Sequence, residues 1–163
     1  MRGRAGGFTY LGILLAVAFL GIALAAVGTV WATTVQRDRE AELLFVGKAY
    51  RDAIRSYYLH GAGGMRYPPD LYELTEDHRF PIVRRHLRRI YADPMTGQPD
   101  WELIRSTDGG IMGVRSNSHK TPIKRANFDA SESAFQDADC YCDWEFLFLP
   151  ARTDRRLPKP SGN

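Results

Sequence analysis

The chain has 163 residues, a quarter of them charged, with 22 Lys and Arg against 19 Asp and Glu for a formal net charge of +3. That is room for one domain plus a separate element, and not for two full domains. The charge also argues against a nucleic-acid partner: Arg2 and Arg4 lie in the first seven residues, and without them the balance falls to +1, too little for a sequence-independent hold on phosphate.

The chain opens with a short basic segment. No residue between Arg4 and Arg37 is charged, and Phe8 to Ala32 is almost continuously apolar. As a helix that stretch covers about 37 Å, enough to cross the hydrocarbon core of a bilayer. It is too long for the core of a secretory signal, and no polar cleavage region follows it. Arg2 and Arg4 on one side face the mixed charges Arg37, Asp38, Arg39 and Glu40 on the other, so the N-terminus is expected in the cytoplasm and the body outside. Gly12, Gly21, Ala25 and Gly28 within the apolar run are small residues of the kind that let helices approach closely in lipid.

The helix is expected to continue past the membrane. Ala41, Leu44, Phe45, Ala49, Tyr50, Ala53, Ile54, Tyr57 and Tyr58 recur at steps of three and four, which predicts one inward face. Glu40, Glu42 and Lys48 are assigned to the water-facing side. The glycines at 61, 63 and 64 should end the helix. Asp70 is placed to cap a short helix to about Glu76, and a second short helix is expected over 82–90 with Val83, Leu87 and Ile90 inward. Asp93-Pro94-Met95-Thr96-Gly97 reads as a tight turn. Strands are expected at 101–105 and 111–115, joined by Asp108-Gly109-Gly110, and at 144–149. The stretch 116–143 reads as a polar loop, and 151–163 as a flexible charged tail. The domain plan is therefore a leader (1–7), a membrane helix (8–35), its amphipathic continuation (36–60), an α+β body (61–150) and the tail.

Few residues point to chemistry. There is no Gly-rich phosphate loop, no paired-histidine metal helix and no serine elbow, so no enzymatic activity is expected. Asp137, Asp139 and Asp143 alternate in a loop and offer hard oxygen ligands of the type calcium takes. Cys140 and Cys142 are one residue apart, where a mutual disulfide is expected to be strained; free thiols or bonds to another chain are the alternatives. No second Cys pair is present and His60, His78, His86 and His119 are scattered, which argues against zinc. Arg84, Arg85, Arg88 and Arg89 read as a solvated basic face.

Gly6-Gly7-Phe8-Thr9-Tyr10-Leu11-Gly12, following a short basic leader and opening an apolar helix, resembles the start of type IV pilins and type II secretion pseudopilins. Phe19 to Ala26 resembles the middle of such a helix. Arg66-Tyr67-Pro68 after the long helix, and the later Asp-Pro-x-x-Gly turn, are most similar to the G-type pseudopilins. The resemblance implies a long spine helix packed on a small antiparallel sheet of about three strands. It implies cleavage between Gly7 and Phe8 by prepilin peptidase, methylation of Phe8, and assembly with other pseudopilins and an inner-membrane platform into a periplasmic filament. It also implies calcium in the C-terminal acidic loop, at Asp137, Asp139 and Asp143. The family usually has glutamate at the fifth mature position; Gly12 stands there, which favours a minor, tip or initiating subunit, or an assembly that satisfies the N-terminal amine differently.

Overall fold

A computed structural model describes residues 6–61 and 64–150. Residues 1–5, 62–63 and the expected tail, 151–163, lie outside the described residues, as do the side chains of residues 6–9, 26, 27, 29 and 30. One helix, α1 (Gly6–Leu59), runs for 54 residues, about 81 Å at the usual rise. No proline occurs before Pro68 to interrupt it. It ends just before the glycines, with Gly64 in the left-handed region at φ 117°.

The two halves of α1 meet different surroundings. From Tyr10 to Trp31 the described large apolar side chains are exposed, among them Phe19 at 68%, Leu24 at 69% and Trp31 at 72%. Among the described residues no helix is long and apolar enough to cross a membrane. The uncharged run itself passes through residues 26, 27, 29 and 30, whose side chains are not described.

From Glu40 onward α1 is docked on the body. Three antiparallel strands, β1 (Glu102–Arg105), β2 (Ile111–Arg115) and β3 (Phe146–Leu147), lie in the order β1-β2-β3, and α1 packs on β2 and β3. β1 pairs with β2 from Glu102 opposite Arg115 to Arg105 opposite Ile111, with the register shifting after Ile104. Gly109, at φ 82°, makes the connecting turn. The expected α+β architecture, a spine helix on a small three-stranded sheet, is what the chain adopts.

Several expectations are corrected. The buried stripe of α1 is Glu40, Leu43, Val46, Gly47, Tyr50, Ala53, Ile54 and Tyr57; Ala41 faces solvent and Phe45 is 69% exposed. Leu43 to Val46 is apolar at every position, so periodicity alone leaves the face ambiguous by one residue. Gly47 helps decide it: a side chain there would run into the Phe146 ring, so the glycine lets β3 press directly onto the helix.

The expected helix over 82–90 does not form. Its segment runs as an irregular chain with a single bridge between Asp77 and Arg84, and Val83 is 59% exposed. Leu74 supplies its carbonyl to the N–H groups of both His86 (2.8 Å) and Leu87 (2.7 Å), so tertiary bonds replace the helical ladder. A helix would also set Arg84 beside Arg88 and Arg85 beside Arg89, like charges four apart.

The helix expected after Asp70 is one 3-10 turn, Tyr72–Leu74, and the Asp70 carboxylate accepts the Glu73 N–H at 3.0 Å. The third strand shrinks to two residues. The stretch 116–143 is not a solvated loop: it holds 3-10 helices at Ala130–Phe135 and Tyr141–Asp143, and Phe135 stacks on the fully buried Trp144 at 5.5 Å. Its polar composition hides aromatic residues spaced too irregularly to show a period.

Candidate functional site

Among the polar side chains that fasten α1 to the body, beside Tyr50 with Tyr91 and Arg51 with Glu132, are two sets built on Glu40 and Asp77. Glu40, only 4% exposed, accepts the N–H groups of Ile123 (2.5 Å) and Lys124 (3.2 Å) and the Tyr141 hydroxyl (2.8 Å). Gln36 joins from the preceding turn, donating to the Thr121 carbonyl and to the Tyr141 oxygen. Burial pushes the Tyr141 hydroxyl up to about 12, so it stays a donor to Glu40 at neutral pH. Glu40, expected on the water-facing side, is turned inward instead. Two backbone N–H groups and a phenol offset the cost of burying its carboxylate.

The second set surrounds Asp77, which is fully buried. Its Oδ1 accepts the Arg79 backbone N–H (3.0 Å) and Nε (2.8 Å); its Oδ2 accepts an Arg79 terminal nitrogen (2.7 Å) and His86 Nε2 (3.1 Å). His86 Nδ1 meets the Ser56 hydroxyl of α1 at 2.8 Å, and Arg79 reaches the Tyr57 carbonyl and lies 3.4 Å over its ring. An ionised carboxylate can only accept, so Nε2 carries the proton and the neutral ring accepts from Ser56. The hydrogen bonds from Arg79 hold the Asp77 carboxyl far below its usual range. Burial lowers His86 below its ordinary value despite the neighbouring carboxylate.

Ser56, His86 and Asp77 thus form a line that resembles a hydrolytic triad in its contacts. Its electrostatics differ. Arg79 already neutralises Asp77, and His86 is held towards its neutral form, whereas a catalytic histidine must be stabilised as it takes a proton. With the imidazole only 1% exposed, the set reads as a lock between helix and body.

The residues singled out from the sequence fall as follows. Gly7 and Phe8 lie in the first turns of α1, with side chains outside the described residues. Nothing comes within 4 Å of a side chain built at Gly12, Gly21 or Gly28, and Ala25 is exposed. At 100° per residue, Gly21, Ala25 and Gly28 share one face of α1 and Gly12 lies opposite. Arg84, Arg85, Arg88 and Arg89 are all exposed, as a basic surface should be.

The three carboxylates expected to hold calcium are not gathered together. Asp137 and Asp139 are exposed, and Asp143 Oδ2 is occupied by the Cys140 N–H at 3.1 Å. The group the fold does assemble was missed: His119, Cys140 and Cys142 bring their ligand atoms within 4.8 Å of one another. His119 lies 21 residues before Cys140, a spacing that signals nothing by itself.

The expectation for the cysteines is also corrected. Cys140 and Cys142 are joined in a disulfide with Cα atoms 5.1 Å apart, inside the usual range of about 4.4–6.8 Å. Cys140 is extended (φ −140°, ψ 163°) and leads straight into the 3-10 turn that holds Cys142. The bridge closes so short a loop that its entropic contribution is only about 1.6 kcal/mol, against about 3 for a 15-residue loop. It is a weak staple.

Comparison of the chain with protein-family models, with curated proteins and with solved structures finds no match in any of the three.

Proposed function

We propose that the chain is a membrane-anchored filament subunit of the pilin class, a pseudopilin of the type II secretion kind most like its G-type members. The observation that carries this reading is the division of α1: one uninterrupted helix whose described large apolar side chains from Tyr10 to Trp31 are exposed, and whose second half is locked into an α+β body. An apolar helix of this length is stable in water only if lipid or other helices cover it. The resemblance around Gly7 and Phe8 supports processing by prepilin peptidase on the cytoplasmic face of the inner membrane, with the body in the periplasm. The shared face of Gly21, Ala25 and Gly28 supports close helix packing in the filament. Phe45, exposed on the outer side of the docked half, adds an apolar contact point for a neighbouring subunit.

The function is mechanical and involves no turnover. Sequencing the N-terminus of the membrane-extracted protein, produced together with prepilin peptidase, tests it. A chain beginning at Phe8 is expected; one still beginning at Met1 overturns the reading.

A second reading rests on the exposed arginines. A minor type IV pilin could use Arg84, Arg85, Arg88 and Arg89 to hold DNA, and binding that weakens steeply with salt would favour it.

A further inference from the structure

The disulfide and His119 sit on a part of the body whose geometry does not depend on the bridge. Tyr141, between the two cysteines, is fully buried and its hydroxyl is tied to Glu40. Its backbone N–H donates to the Lys120 carbonyl at 3.1 Å, which fastens the residue after His119 to the residue between the cysteines. Asp143 holds the Cys140 N–H from the other end of the turn. Cys140 and Cys142 are both half-buried residues of one anchored turn, with His119 Nδ1 3.5 Å from Cys142 Sγ. Opening the bridge removes a weak staple and leaves these anchors in place.

We propose that the reduced Cys140-x-Cys142 pair and His119 form a binding site for a soft metal ion, Cu(I) or Zn(II), and that the disulfide is the closed state of this site. Two thiolates and one imidazole are the donor set such ions select, and three ligands suit a trigonal Cu(I) or a Zn(II) completed by water. The redox step balances with a thiol reductant. Two external thiols deliver two electrons and two protons to the Cys140–Cys142 bond and leave as their own disulfide. Metal binding then expels the two cysteine protons, while neutral His119 donates the lone pair of Nδ1. Oxidation with loss of the metal reverses the sequence. The carboxylates Asp137 and Asp139 play no part, so the site differs in ligands and in metal class from a calcium loop. The inference is independent of the filament reading, because it concerns only the body.

The test uses the full chain in detergent, reduced and handled without oxygen, titrated separately with Cu(I) and Zn(II) against a chromophoric chelator. One equivalent of metal per reduced chain is expected, and none on the oxidised chain. His119→Ala should weaken binding at least about tenfold, and Cys140→Ser/Cys142→Ser should abolish it. His119 is exposed, so His119→Ala is expected to keep the wild-type circular dichroism and melting temperature. Retention of one equivalent by Cu(I) alone or by Zn(II) alone supports the site and names its ion. The proposal is overturned if reduced wild type holds no more metal than the double serine variant, or if His119→Ala binds as tightly as wild type.

Discussion

Replacing Asp77 by Asn probes the lock between helix and body with almost no change of shape. The carboxylate accepts four hydrogen bonds, three from Arg79 and one from His86, and is fully buried. Asparagine keeps one accepting oxygen and turns the other position into a donor, which then faces Arg79 in either orientation and His86 Nε2–H as well when it takes the place of Oδ2. His86 can relieve one conflict by moving its proton to Nδ1 and donating to Ser56. The Arg79 charge has no such escape, although its side chain is 20% exposed and water can reach it.

Breaking a buried pair from one side costs about 3–5 kcal/mol, and the partial exposure of Arg79 places this case near about 3. Residues 36–150 comprise 115 residues. With an unfolding entropy of about 2.1 cal/mol/K per residue, 3 kcal/mol corresponds to a fall in Tm of about 12 °C. Thermal unfolding of the detergent-solubilised chain, followed by near-ultraviolet circular dichroism, measures it. The double variant Asp77→Asn/Arg79→Gln should lose less than the sum of the single changes, since neither then strands the other. A Tm within about 3 °C of wild type for Asp77→Asn, equivalent to less than about 1 kcal/mol, would refute the lock.

The same set fixes the direction of the pH response. His86 is held below its ordinary value, so below pH 6.5 the unfolded chain takes up a proton that the folded chain resists, and stability falls as pH drops. Asp77 is depressed as well; its contribution is complete above pH 3.8 and is lost as pH falls further. Tm measured from pH 8 down to pH 2 should therefore decline in two stages, and His86→Gln should remove the first. Gly47→Ala should lower stability by about 1 kcal/mol in chemical denaturation, although alanine is the better helix former by a similar amount, because the new methyl meets the Phe146 ring. Gly21→Leu should leave membrane insertion intact but reduce recovery of the chain with partner subunits; normal co-purification would count against packing on that face. Millimolar calcium should leave Tm unchanged, since the fold does not gather Asp137, Asp139 and Asp143, and a rise abolished by Asp137→Asn, Asp139→Asn or Asp143→Asn would restore the calcium reading.

Much of the fold was legible because it depends on local or periodic signals. The uncharged run to Gln36 and the three-and-four spacing after it announce one long helix, and its end is written in the glycines that follow. The hairpin around Gly109 is equally plain, since a turn needing positive φ advertises itself. The miscalled segments are those where local preference is overruled. The 82–90 helix loses to the single carbonyl of Leu74, which takes the N–H groups of His86 and Leu87, and the strand expected at 144–149 shortens where Trp144 turns into the aromatic core.

The candidate sites divide in the same way. The Gly7–Phe8 junction, the apolar helix and its small residues are properties of contiguous sequence, and the sequence by itself determined them. Only the tertiary structure decided that Glu40 points inward, that Ser56, Asp77 and His86 meet, and that His119 comes to rest beside Cys142. Each of these joins residues far apart in the chain, the first two through the docking of α1 on the body and the third within the body itself. Sequence spacing carries no record of such contacts, because their geometry exists only once the surfaces have closed.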